Sequence, residues 1–287
     1  RKKLIFSFNF INSSLFFASV SFKPSSSVCA RDKFFSSVLI FPVNFADSDC
    51  SFFILIPFCV SDFLTVVSCA VTSNNLFFKS LIPEEVFSKS ERIFKETNGY
   101  FDPTVGNLVN AWGFGPEKPL NNLDSSSVKD LMKFVGFDKV KIENNQVNKK
   151  YSETYFDFNS IGKGYGLDII ARFLESKKIK NYLIEIGGEV RVKGTKPEGK
   201  IWTVQLENPN TDGSRSAYTY LQLTNSSMAS SGNYRKFRMA PTGEKYVHTI
   251  NPKTGFALES NLLAATVIAE LDCADVDAYA TSFMAMG

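Results

Sequence analysis

The sequence predicts an α+β fold, and three observations carry the prediction. Segments with apolar residues at helical spacing cluster between about residue 83 and Leu174, strand-like runs dominate from 181 to 270, and a last helix-like run follows. Helices and strands are therefore segregated along the chain instead of alternating as βαβ units. All 17 glycines lie at Gly99 or later, where they punctuate these segments.

The segment before them, residues 1–80, is anomalous. It holds 16 of the 28 Phe and four of the five Cys (Cys29, Cys50, Cys59 and Cys69), and no Gly. Folded chain of that length needs positive φ somewhere, so the lack of glycine argues against an ordinary domain. Three readings stand beside one another. "RKKLIFSFNFINSSLFFASV" starts charged and continues apolar, as a targeting or membrane segment does. Asn9, Asn12, Ser13 and Ser14 interrupt it, however, and Asp62 interrupts the run before the lipoprotein-like "VVSC" at 66–69. A disulfide framework fits worse, because the cysteines lack turn residues around them. The third reading is non-native coding: Lys and Glu codons read on the opposite strand become Phe codons. The expectation is a boundary near residue 80, with 1–80 not native or not independently folded and 81–287 forming the folded domain.

The elements of that domain follow in order. "PEEVFSKSERIFKETNGY" places Val86, Phe87, Ile93 and Phe94 on one helical face, with early Glu and a glycine stop at Gly99. Asp102 followed by Pro103 is a cap and first-turn signal. "SSSVKDLMKFVGF" is a short helix with Val128, Leu131, Met132 and Val135 inward, ending at Gly136. "KVKIENNQVNKK" reads as a hairpin around Asn144 and Asn145, and "YFDFNSI" as a strand. Leu167, Ile170, Ala171 and Leu174 form the next helical face. "NYLIEIGGEVRVKG", "WTVQLENP", "YTYLQLTNSSMASSGNYRKF" and "NLLAATVIAE" are strand-like, and "CADVDAYATSFMAMG" is helical.

A formal charge of +3 and the lack of a long Lys/Arg run predict no nucleic-acid partner. One stretch stands out chemically: "FDFNSIGKGYGLD", residues 156–168, with Asp157, Ser160 and Lys163 at the start of a helix. It is neither a Walker loop nor a dinucleotide fingerprint, because its glycines fall at the wrong spacing. Free N–H groups at a helix start, next to a lysine, favour phosphate. A glycine-softened turn with an exposed lysine is the other reading.

"DPTVGNLVNAWGFGP" (102–116), "HTINPKTG" (248–255) and "DVDAYATSFMAMG" (275–287) occur in this order around that stretch. "EIGGEVRVKG" and "SSGNYRKF" lie between them. Together they resemble the FAD:protein FMN transferase (ApbE) family from about residue 80 onward. The resemblance implies an ApbE-like fold of mixed sheets with flanking helices. It implies a Mg²⁺-dependent transferase that takes FAD as substrate, moves its FMN moiety to a Thr or Ser hydroxyl of an acceptor flavoprotein, and releases AMP. FAD hydrolysis to FMN and AMP is one alternative, and non-catalytic flavin binding another.

By the same resemblance Asp277, Thr281 and Ser160 hold the metal, with Ala280 contributing only through its backbone. An i, i+4 pair of oxygen side chains on one helical face suits a hard cation. Asp157, Lys163, Trp112, Gly113, Phe114 and His248 match flavin-contacting positions, although Trp112 after a helix also reads as core. The acid–base role is left between His248 and a carboxylate. Cys273 reads as a buried thiol, and "EIGGEV" as close backbone approach to the ligand or a bulge. The family's N-terminal "MGT"- and "STY"-like motifs have no counterpart in residues 1–80, and relatives continue past the last helix. The chain is thus expected to be incomplete at both ends, truncated at the C-terminus. Family members work at the cell envelope, on the outer face of the cytoplasmic membrane or in the periplasm, often as lipoproteins attached through an anchor. The same location is expected here.

Overall fold

The computed structural model describes residues 84–120, 123–143, 146–239, 243, 245–257 and 261–287. Ahead of them it describes only the backbone of three short strands, β1 (Phe6–Ile11), β2 (Leu15–Val20) and β3 (Phe53–Leu55). The nature of residues 1–80 otherwise lies outside the described residues, as do Asn144 and Asn145.

The expected helices form. α1 (Glu84–Glu96) buries Val86, Phe87 and Ile93. Asp102 caps a 3₁₀ turn at Pro103–Val105, which leads into α2 (Gly106–Ala111). Its carboxylate accepts from Thr104 N, Thr104 Oγ1 and Phe137 N, and burial raises its pKa to about 6. α3 (Ser125–Leu131) is capped by Asp124 and continues as a 3₁₀ turn. β4 (Val140–Glu143) and β5 (Gln146–Lys149) then pair antiparallel across the predicted hairpin.

The predicted strand at "YFDFNSI" does not form. Residues 154–158 alternate buried and half-buried positions as a strand would, but helix begins at Asn159 and no strand among the described residues pairs with them. Alternation specifies an extended chain, not a partner. Here Gly106 N–H donates to Tyr155 O at 3.1 Å and Asp157 N–H donates to Pro103 O at 2.7 Å, so the 103–106 turn satisfies the backbone instead.

α4 (Asn159–Ser176) leads to β6 (Tyr182–Ile186) and β7 (Glu189–Lys193). Between the two strands Gly187 and Gly188 both have positive φ, +61° and +101°. With Ile186 opposite Glu189, "EIGGEV" is a two-residue hairpin turn, not a bulge. β8 (Trp202–Glu207) and β9 (Ala217–Leu223) form a further hairpin. β10 (Ser226–Gly232), β11 (Phe237–Met239), β12 (Lys245–Val247), β13 (Ala264–Ala269) and α5 (Cys273–Met286) complete the domain.

One antiparallel sheet, ordered β13-β10-β7-β6, sits at the centre. On one face Tyr182, Ile184 and Ala229 pack against Leu167, Ala171, Cys273, Val276 and Ala280 of α4 and α5. On the other, Val190, Val192 and Met228 meet Trp202 and Leu223 of the β8–β9 hairpin. Both faces of the sheet are thus covered. α5 is also buried on its far side, where Ala274 and Ala278 join the α1 cluster around Phe87, Phe137 and Phe156. Its small residues let it lie between layers. Among the described residues no helix is long and apolar enough to cross a membrane.

α4 and α5 touch at Gly164. A Cβ there would lie 2.3 Å from Cys273 O and 2.7 Å from Ala274 Cα, against backbone that has no rotamer to change. Gly164→Ala should therefore force the helices apart and destabilise by about 3 kcal/mol, the upper end for overpacking. A urea titration reads this as a lower midpoint at unchanged m-value. An unchanged midpoint would mean that the helix pair yields freely.

Candidate active site

A cleft of about 520 Å³ opens between the α4–α5 pair and the segments around β10–β12. The start of α4 brings Asp157, Ser160 and Lys163 to it, and α5 brings Asp277 and Thr281 one turn apart. Ser230, Ser231, Lys236 and His248 face them, and Phe114 closes one side. Six of the residues singled out in the sequence for metal or flavin contact, from three segments, therefore meet around one cavity, with Phe114 as the seventh.

The others lie elsewhere. Trp112 is in the core between Tyr246 and Phe256, with its indole N–H donating to Gly255 O at 2.8 Å. The Gly113 carbonyl accepts from Arg238 Nη1 at 2.8 Å. Ala280 faces the sheet in the α4–α5 core. None of the three lines the cavity.

Asp157 Oδ1 accepts from Asn159 N at 2.8 Å, which ties the extended segment to the first residue of the helix. Burial raises its pKa, opposed by that bond and by the Lys236 charge. Asp277 is 2% exposed, and its Oδ2 accepts from Gly164 N at 3.1 Å. Burial pushes its pKa up too, with Lys163 pulling it back. Ser231 Oγ and Thr281 Oγ1 lie 3.0 Å apart in a hydrogen bond.

Lys163 Nζ donates to Glu189 Oε1 at 2.5 Å. Burial opposes the lysine charge, but the Glu189 and Asp277 carboxylates outweigh it and hold the ammonium above the ordinary lysine value. Glu189 itself is 1% exposed, with Oε2 unpartnered among the described residues. Sequence reading passed over Glu189, because a Glu after a glycine pair looks like a solvent-facing turn residue. The available signal was its place in "EVRVK", where alternate residues share one face.

His248 is the chain's one histidine. Burial, with the Lys236 and Lys163 charges, lowers its pKa to about 4, so the ring is neutral at pH 7. Its Nδ1 is buried without a partner among the described residues.

The donor set fits a hard divalent cation. Asp277, Thr281 and Ser160 offer only oxygen, and the carboxylate is buried where an unpaired charge is costly. No group of three or more His, Cys, Asp or Glu suited to a metal exists among the described residues. One carboxylate with hydroxyls suits Mg²⁺, which keeps waters and substrate phosphates as its remaining ligands.

Comparison with known proteins identifies relatives of this chain. A protein from Haemophilus influenzae named FAD:protein FMN transferase is 40% identical over 190 residues, covering 64% of this chain and 55% of that protein. Its namesake from Vibrio cholerae is 35% identical over 217 residues, covering 75% and 64%. The chain thus spans less than two thirds of the length of either. Among solved structures, the flavin transferase ApbE from Vibrio cholerae superposes with a TM-score of 0.62 at 34% identity, covering 71% of this chain and 64% of that one. The apo flavinyl transferase ApbE of Pseudomonas stutzeri gives 0.63 at 28% identity, with coverage of 72% and 64%. Residues 82–287 match the model described as the ApbE family, and with these relatives the match shows that the chain belongs to that family.

Proposed function

We propose that the protein transfers FMN from FAD to a Thr or Ser hydroxyl of an acceptor flavoprotein and releases AMP. The observation that carries this reading is the meeting of Asp157, Ser160, Lys163, His248, Asp277 and Thr281 in one cleft of an ApbE-family domain.

Asp277, Thr281 and Ser160 would hold Mg²⁺. Bound there, it neutralises pyrophosphate charge and steadies the charge that develops on AMP. Lys163 presents a second positive charge to the same anion from the α4 side. Asp157 orients the nucleotide by accepting a hydrogen bond, and Phe114 offers an aromatic edge to the flavin. The acceptor hydroxyl oxygen bonds to the FMN phosphorus, the P–O bond to AMP breaks, and AMP leaves with the electron pair. The hydroxyl proton passes to the free Nδ1 of neutral His248.

The assay incubates the protein with FAD and Mg²⁺, with and without an acceptor subunit. Released AMP is quantified by chromatography and protein-bound flavin by in-gel fluorescence. AMP together with flavin on the acceptor supports transfer, whereas AMP with all FMN in solution selects hydrolysis. No AMP under any condition removes both reactions.

The same assay tests His248. A base with a pKa of about 4 is unprotonated across the physiological range. The acid limb of kcat/KM assigned to His248 should therefore lie near pH 4, with no break between pH 5.5 and 7.5, around the ordinary value of about 6.5. A limb near 6.5 that vanishes in His248→Gln would contradict the buried, neutral ring.

A further inference from the structure

β7 leaves the Gly187–Gly188 turn with three charged side chains directed at α4. Glu189 pairs with Lys163, Arg191 with Asp168, and Lys193 with Glu175. The last two rungs place the cation on the strand and the acid on the helix, and the rung beside the cleft is reversed. The reversal decides which charge reaches the cavity. Lys163 lines it, and the buried Glu189 stands behind.

The Lys163 ammonium has two buried carboxylates near it but is bonded to only one. It donates to Glu189, whereas Asp277 acts on it through space without an ion-pair contact. A lysine stem has four flexible methylenes, enough to let the head group choose between neighbours. A buried carboxylate with a spare cation beside it tends to take that cation as its partner. Were Lys163 to move onto Asp277, a metal ion would have to displace it first.

We propose that Glu189 is a positioning residue that retains Lys163 at the cleft wall and so keeps the Asp277 carboxylate open to a divalent cation. The proposal rests on reading Asp277 as a cation ligand. It adds to that reading a residue that touches neither cation nor substrate.

The test measures binding of Mn²⁺ alone, by the electron paramagnetic resonance signal of the free ion, with a thermal melt of each protein to verify folding. Glu189→Gln keeps the shape and the acceptor oxygen but removes the charge that retains the lysine. Its Mn²⁺ affinity should fall by about tenfold, the scale of one buried charge contact. Lys163→Met alone should stay within about threefold of wild type, because Asp277 is already free of Lys163. The double variant, K163M/E189Q, should recover to within about threefold, because the competitor is gone.

Wild-type affinity in E189Q would overturn the proposal. So would a double variant as weak as E189Q. Tightening in K163M equal to the loosening in E189Q would reduce the effect to summed charge, with no retention. Absence of Mn²⁺ binding by the wild type would overturn the cation-ligand reading of Asp277 and the proposal together. Normal wild-type binding with unaffected E189Q would sink the proposal alone.

Discussion

Asp277→Asn is expected to lower AMP release from FAD by about a thousandfold, equivalent to roughly 4 kcal/mol of lost transition-state stabilisation. Asparagine fills the same space, and its amide oxygen can still accept from Gly164 N. What disappears is the one carboxylate in an otherwise neutral set of oxygen ligands. Stability should move the other way. The buried Asp277 carboxyl is pushed towards its neutral form by desolvation, so an uncharged side chain removes a strain of folding. A melt at or above the wild-type temperature, combined with collapsed turnover, is the expected pair of results. Turnover within tenfold of wild type would take Asp277 out of the metal site.

Asp168→Ala is expected to cost about 3–5 kcal/mol of stability, the range for removing one member of a buried pair. The Asp168 side chain is wholly buried in α4 and serves α5. Its two oxygens accept from Cys273 N at 2.8 Å and Ala274 N at 2.9 Å, and Oδ1 also pairs with Arg191. A helix start ordinarily takes its cap from the residue just before it. Here Asp272 occupies that place without capping, because its carboxylate is drawn to Lys89 at 2.8 Å and Arg191 at 2.7 Å. Asp168→Ala thus leaves two first-turn N–H groups without their acceptor and Arg191 with Asp272 alone. Loss of melting temperature by about 6–20 °C should follow, at about 2–4 °C per kcal/mol. A shift below 2 °C would show that Asp272 can turn back and cap.

Both predictions concern residues whose settings differed in how visible they were beforehand. The α1 face was legible because Val86, Phe87 and Ile93 repeat at helical spacing against a polar background. α5 has no such background, being buried between the sheet and the α1 cluster, so periodicity could mark it as helix but not say which side carries function. Asp277 and Thr281 came from family resemblance, and folding together with Ser160 and Lys163 put them in one place. Trp112 shows the opposite limit. An aromatic next to glycines reads equally as a stacking surface or as core, and only its bond to Gly255 O and its packing on Tyr246 distinguish the two. "YFDFNSI" (155–161) was read as strand because alternation is local, while the existence of a neighbouring strand is not. Glu189 escaped notice for the same reason, since its partner lies 26 positions earlier on another element.

The cleft has two unlike walls, and this bears on redesign. The α4–α5 wall is fixed by the Gly164 contact, by Asp168 and by the ion pairs at the start of α5, so its positions are interdependent. The wall opposite is assembled from strand ends and turns, where Tyr234, Arg235, Lys236, Thr249 and Pro252 face the cavity. Mutational libraries confined to that second wall would vary what the pocket admits while leaving the folding of the helix pair untouched. New ligand preferences are therefore to be sought there.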